Sequence, residues 1–183
     1  VGAVDALATR VPANIRDRGT LIFGSDNAYA PWEYLDGDDG QTPEGIDVDL
    51  GKAIAQSLGL EFESRTAPFA SILPSLGATY DIGLSAFSIT AERKEVVNFV
   101  SYAGSINLWA VKAGNPNDFD PANICGSTLA LQSGSSHEKS ILAASEDCVG
   151  AGNPAIEILP FSNQPEALTR VAAGGADASL SGG

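Results

Sequence analysis

The sequence predicts an α/β protein built as two lobes. Three observations carry that prediction. Short apolar runs are bounded by Gly, Pro, Asn and Asp; segments of helical period lie between them; and the alternation recurs in both halves of the chain. The first lobe is assigned to residues 1–103 and the second to 104–183. The halves share no sequence repeat, so the repetition is one of architecture.

In chain order, Val1 to Arg18 reads as an extended lead-in with a helical turn around Pro12 to Arg18, and Thr20–Gly24 as a buried strand. Asp26 to Gly45 reads as a long loop, rich in Gly, Pro and Asp, with a turn at Asp36–Gly40. Those aspartates lack the alternating ligands and distal Glu of an EF-hand, which argues against calcium. Val48–Leu58 has helical spacing and a stop at Gly59; Leu60–Ser64 alternates like a strand. A second helix is expected over Phe69–Leu76, a short strand at Asp81–Leu84, a helical turn over Thr90–Glu95 capped by Thr90, and a strand at Val96–Val100. The second half predicts strands at Ile106–Val111, Thr128–Leu131, Ile156–Leu159 and Ala176–Leu180. Its helices run from a Ser135 or Ser136 cap to about Ala144, and over Gln164–Ala173.

Composition narrows the function. With 44% apolar and 18% charged residues, the chain can bury a core. Its net charge of −13 argues against nucleic acid and against docking on an anionic membrane through a basic patch. No apolar run approaches the ~20 residues of a membrane span. The N-terminus shows neither the basic nor the apolar region of a signal peptide, a feature shared by processed and by cytosolic chains. The two cysteines, Cys125 and Cys148, lie outside any Cys-x-x-Cys pattern, and His137 is the single histidine. Structural zinc is thereby disfavoured. A disulfide is the leading reading, which points outside the cytoplasm; two separate buried thiols are the alternative.

The chemistry concentrates in Gly83-Leu-Ser-Ala-Phe-Ser-Ile-Thr-Ala-Glu-Arg93. Hydroxyls at Ser85, Ser88 and Thr90 and a guanidinium at Arg93 follow a short apolar run. A planar two-pronged cation with neutral donors suits a small anion such as a carboxylate. Ser135 and Ser136 open a predicted helix, whose N-terminal amides also attract anions. Ser135, Ser136 and His137 are adjacent, but adjacent helical residues do not face one another, and Gly-x-Ser-x-Gly is absent, so a hydrolase is rejected.

Taken in order, these pieces resemble the extracytoplasmic solute-binding proteins of ABC-type amino-acid importers, the polar amino-acid group known as bacterial solute-binding protein family 3. The resemblance rests on Gly19-Thr-Leu-Ile-Phe-Gly-Ser-Asp26, Tyr29-Ala-Pro-Trp32, Gly45-Ile-Asp-Val-Asp-Leu50, Ile72-Leu-Pro-Ser-Leu76, Tyr80-Asp-Ile82, Ser85-Ala-Phe-Ser-Ile-Thr-Ala-Glu-Arg93 and Asn98-Phe-Val-Ser-Tyr102. Cys125-Gly126, Leu131-Gln-Ser-Gly-Ser135 and Gly175-Ala-Asp-Ala178 continue it. It implies a two-lobe periplasmic-binding-protein-like architecture of type II, a small-molecule amino-acid ligand, a membrane permease as partner, no cofactor and no catalysis. It also implies an extracytoplasmic location, with a lipid anchor in the precursor left open. The cysteine pair resembles a disulfide found in part of the family.

By the same resemblance Arg93 clamps the ligand α-carboxylate, a charge-assisted pair contributing about 1.5–3 kcal/mol net. Ser88 donates its hydroxyl to that carboxylate, Ser85 its hydroxyl or main chain, and Ala86, where the family often has a hydroxyl residue, its main chain. Ser135 and Ser136 approach from the second lobe. Asp26 points at the ligand side chain, while Tyr29 and Phe69 form aromatic walls that also suit a cationic side chain. Trp32 is divided between that wall and core packing, and Glu33 reads as a solvated loop residue. The lobes are expected to close on the ligand, since the closed state offers donors from both.

One departure stands out. The family's acid for the ligand ammonium falls here at Gly182, and the segment that completes the first lobe does not follow. The reading is therefore a truncated chain with an incomplete first lobe. Such a chain is expected to bind amino acids weakly or not at all, since a buried ammonium without a partner costs about 2–5 kcal/mol, and to self-associate or swap domains. The competing functions are the ligand-binding module of a sensor or receptor and a dehydratase on the same fold, the latter requiring a positioned acid or base.

Overall fold

The structure, a computed structural model, describes residues 2–182. The chain divides into two compact units, one ending at Phe87 and the other starting at Ser88.

The first unit is organised by β1 (Thr20–Ser25), which is buried along nearly its whole length. It pairs in parallel with β5 (Glu61–Thr66) on one side and β6 (Ile82–Gly83) on the other. An apolar run of this kind, without polar alternation, is what a strand covered on both faces requires. On one face lie Leu21, Phe23, Ala55, Leu60 and Leu84, joined by Leu50, Ile54 and Leu58 of α3 (Ile46–Ser57) and by Val11 and Ile15 beside α2 (Ala13–Arg18). On the other face the strand has no side chain at Gly24, where an added Cβ would stand 2.7 Å from the Tyr80 ring and 3.0 Å from Ile72. Ile72, fully buried, closes α4 (Phe69–Ile72), after which the expected helix tightens to a 3₁₀ turn at Leu73–Ser75.

Two local expectations are corrected here. The lead-in holds a short helix, α1 (Asp5–Ala8), ahead of α2. The supposed loop from Asp26 to Gly45 folds into a three-stranded antiparallel sheet, β2 (Ala28–Tyr29), β3 (Glu33–Asp36) and β4 (Thr42–Glu44), with the Asp36–Gly40 turn in place. Strands this short leave little periodicity to read, and Pro43 is tolerated because β4 is an edge. Gly45 then starts α3 at φ 118°, against the Trp32 carbonyl; an added Cβ would lie 2.3 Å from that oxygen.

In the second unit β8 (Thr128–Gln132) is central, with β9 (Glu157–Phe161) and β10 (Ala178–Gly182) beside it in parallel. β7 (Asn107–Val111) runs antiparallel to β10 as an edge. Leu129 and Leu131 pack with Ile141 and Cys148 of α5 (Ser136–Gly150) and with Phe119, Ile156 and Leu180. Ala130, on the opposite face, packs with Ala167 and Val171 of α6 (Gln164–Ala172). α5 extends six residues beyond its expected end at Ala144, and this places Cys148 on its inner face. There Cys148 is bonded to Cys125, with Cα atoms 5.7 Å apart.

The units repeat one device. Asp81 donates its N–H to the Ile22 carbonyl at 2.9 Å and accepts the Ile22 N–H on its side chain at 2.9 Å. Asp177 does the same with Thr128, at 2.8 and 2.8 Å. In each unit an aspartate entering a strand thus registers it against the central one, which gives Asp81 and Asp177 a structural role.

A strand at Val96–Val100 does not form. Among the described residues nothing pairs with it, and Val96 and Val100 are 77% and 88% exposed. A strand without a ladder partner leaves its amides to water. Side chains of residues 88–93 bond within the segment and to Gly134, Ser136 and Lys139 of the second unit.

Candidate functional site

The predicted residues gather into two groups, one in each unit. In the second unit, Thr90 Oγ1 accepts the Arg93 N–H at 3.2 Å just ahead of the 3₁₀ turn Arg93–Glu95, whose N-cap is Glu92 and not Thr90 as expected. This fixes the root of the Arg93 side chain. Its guanidinium donates from one terminal nitrogen to the Ser88 carbonyl at 2.8 Å and from the other to the Gly134 carbonyl at 3.0 Å. The arginine is partly buried. Burial lowers its pKa, opposed by the negative charge of Glu92, but an arginine so placed stays a cation at neutral pH. Glu92, which could have neutralised it, forms its own ion pair with Lys139.

The Ser88 and Ser136 hydroxyls meet at 3.1 Å beside this cation. Ser135 is the N-cap of α5, its Oγ accepting the Glu138 N–H at 3.0 Å, while the Glu138 carboxylate accepts the Gly134 N–H at 2.7 Å. This pair is a capping box displaced by one residue, since the amide that Glu138 holds belongs to Gly134 and not to the cap itself. The Ser135 hydroxyl is thus engaged in capping, and Ser136, one residue on, is the one beside Ser88. The arrangement brings together a fixed guanidinium, two hydroxyls and the N-terminus of a 15-residue helix, a set of groups suited to a small anion. His137 follows, its Nε2 3.0 Å from Asn107 Oδ1. Burial lowers its pKa, and the Arg93 charge lowers it further.

In the first unit, Asp26 leaves β1 as a buried residue, and its N–H donates to Ser85 Oγ at 3.0 Å. Ser85 in turn donates to Glu33 Oε1 at 2.5 Å. Its hydroxyl is therefore engaged inside the protein, which favours the main chain as Ser85's contribution to any ligand. Ala86 stands at φ 45°, its N–H held by Asp47 Oδ2 at 2.8 Å. Phe69, buried at the start of α4, stacks on Phe87 with ring centroids 4.5 Å apart. Tyr29 lies on β2, half-buried.

Glu33 corrects the sequence reading. It is 1% exposed, not solvated. Together with Asp47, also 1% exposed, it is the part of this group that sequence reasoning missed. The available signal was Glu33's position inside Trp32-Glu-Tyr-Leu35, where a strand alternates and one face must turn inward.

An α/β architecture with a guanidinium, two hydroxyls and a helix N-terminus gathered in one unit suits a protein that holds a small anion. The family model described as bacterial extracellular solute-binding proteins, family 3, matches residues 21–178, and the chain belongs to that family. It is 34% identical to the arginine-binding protein ArgT of Corynebacterium glutamicum over 177 residues, covering 96% of this chain and 58% of that protein. It is 28% identical to the L-arginine-binding protein of Pseudomonas aeruginosa, covering 97% of this chain and 66% of the relative. The chain thus spans less than two thirds of the length of these relatives. Among solved structures, the holo arginine-binding protein ArgBP from T. maritima matches with a TM-score of 0.80 at 28% identity, over 94% of this chain and 73% of that one. An ancestral amino acid-binding protein, described as a precursor of cyclohexadienyl dehydratase, matches with a TM-score of 0.79 at 30% identity, over 92% and 72%.

Proposed function

We propose that this chain is the solute-binding part of an ABC-type amino-acid importer, working outside the cytoplasm, and that it holds its solute by the α-carboxylate. The observation that carries the proposal is Arg93, oriented by the Ser88 and Gly134 carbonyls beside the Ser88 and Ser136 hydroxyls at the start of α5. Arg93 supplies the charge, Ser88 and Ser136 supply neutral donors, and Ser135 holds the helix end that adds its dipole. Asp26, Tyr29 and Phe69 are assigned to the solute side chain, with a main-chain donor from Ser85; Ala86, whose N–H is held by Asp47, is left with its carbonyl. A buried aspartate with aromatic neighbours suits a cationic side chain, and the relatives named for arginine support L-arginine as the solute. The disulfide and the family's extracellular description agree with the location, and no helix among the described residues is long and apolar enough to cross a membrane.

Gly182, where the family's ammonium-binding acid falls by resemblance, offers the solute no charge. Binding by this chain is therefore expected to be weak, in the range NMR titration detects. L-Arginine should shift the Ser88, Arg93 and Ser136 amides, and agmatine, which lacks the carboxylate, should not. Arg93→Lys keeps the charge but loses the fork, and should weaken arginine binding about tenfold or more. Equal shifts with agmatine would refute the carboxylate assignment, and submicromolar affinity would refute the weak-binding one.

A further inference from the structure

We propose that Glu33 is a positioning residue that remains a protonated, neutral acid in the folded protein and, through the Ser85 hydroxyl, sets the backbone at Asp26 and at Ser85–Ala86. That these segments carry ligand groups rests on the function proposed above; the state of Glu33 does not.

The geometry comes first. Glu33 is 1% exposed. Its Oε1 accepts the Ser85 hydroxyl at 2.5 Å, and the same hydroxyl accepts the Asp26 N–H at 3.0 Å. One side chain on β3 thus ties the end of β1 to the residue that follows β6 by way of a single serine. Its other oxygen, Oε2, is buried without a hydrogen-bond partner. A carboxylate placed so would leave charge on an oxygen that meets neither water nor a donor, a large desolvation cost. A neutral carboxyl removes that charge, and its O–H has an acceptor in the neighbouring Asp47 side chain, a hydrogen bond that favours the protonated form.

The charges around it agree. Asp47 faces Glu33 from α3 and Asp26 from the end of β1, and no cation contributes to its environment. Burial is the largest effect, and with these two acids it pushes the Glu33 pKa up to about 9, against the opposing hydrogen bond from Ser85. Asp47 holds the Ala86 N–H as an acceptor. The pair therefore divides the work: Asp47 as acceptor for Ala86, and Glu33 as the uncharged key behind Ser85. An ionised Glu33 would set like charges side by side and press Asp47 and Asp26 apart.

The sign of the pH effect follows. The unfolded chain loses the Glu33 proton near 4.5, whereas the folded chain keeps it up to about 9. Between those values the folded state binds the extra proton, so stability falls as pH rises through the interval and levels off above it. The slope reaches about tenfold in the folded-to-unfolded ratio per pH unit. Glutamine mimics the neutral acid and cannot ionise. Glu33→Gln should therefore match the wild type in thermal unfolding near pH 5 and gain on it steadily toward pH 9. The carboxyl carbon of Glu33, followed by NMR in the unsubstituted protein, should report a neutral acid at pH 7. Glu33→Ala should displace the Asp26, Ser85 and Ala86 amide resonances, and Glu33→Gln should leave them in place. None of these readouts needs a ligand, so a failure of the solute assignment leaves them intact. A carboxyl that titrates near 4.5, or a Gln variant destabilised equally at every pH, would overturn the proposal.

Discussion

Two main-chain oxygens, those of Ser88 and Gly134, accept from the Arg93 guanidinium and fix its plane. His137 depends on the same cation. Its pKa is lowered from 6.5 by burial first and by Arg93 second. The folded protein therefore releases this proton at lower pH than the unfolded chain does. Between the lowered value and 6.5 the unfolded state binds more protons, so acidification through that window costs stability. His137→Asn should flatten this part of the acid limb in thermal melts, measured against the wild type. An unchanged difference from pH 7 down to about pH 5 would show that the imidazole is not shifted.

Among the elements, the start of α5 was legible and its end was not: a cap was expected at Ser135 or Ser136 and Ser135 is the one that caps, but the helix runs on to Gly150. Ser135→Ala should cost about 1 kcal/mol of stability in chemical denaturation; a loss of under a few tenths would show that the cap is not holding the helix end. The disulfide ties α5 to the segment before β8. Closing residues 125–148, a separation of 23, should contribute about 3 kcal/mol. The Cys125→Ser/Cys148→Ser double variant should lose roughly that amount, and equal denaturation midpoints would contradict it. The long apolar or periodic elements, β1, α3, β8 and α6, were read to within a few residues because burial on both faces or on one stripe writes itself into composition. The three short strands between Asp26 and Gly45 were not, because two to four residues carry no period. Val96–Val100 failed the other way: its residues suit a strand, but a strand is a property of a pair.

At the scale of the molecule, each unit is an α/β layer built around one buried strand and registered by one aspartate, Asp81 or Asp177. Arg93 and Ser88 stood out together because hydroxyls and a guanidinium cluster in the single short stretch Gly83–Arg93, whereas Ser136 was read from its place at a helix start. Glu33 and Asp47 did not: alternation around Glu33 says that one face turns inward but not which, and the packing of β3 and α3 against the Ser85 segment decides it. With a net charge of −13 the chain repels anions at long range, so the carboxylate capture proposed above requires a fixed local cation and not the overall field. The most direct test of that claim is an NMR titration of the chain with L-arginine and with agmatine, repeated on Arg93→Lys. The account predicts shifts at Ser88, Arg93 and Ser136 with arginine alone, weakened in the variant. Equal responses to both compounds, or arginine binding that survives Arg93→Lys unchanged, would contradict it.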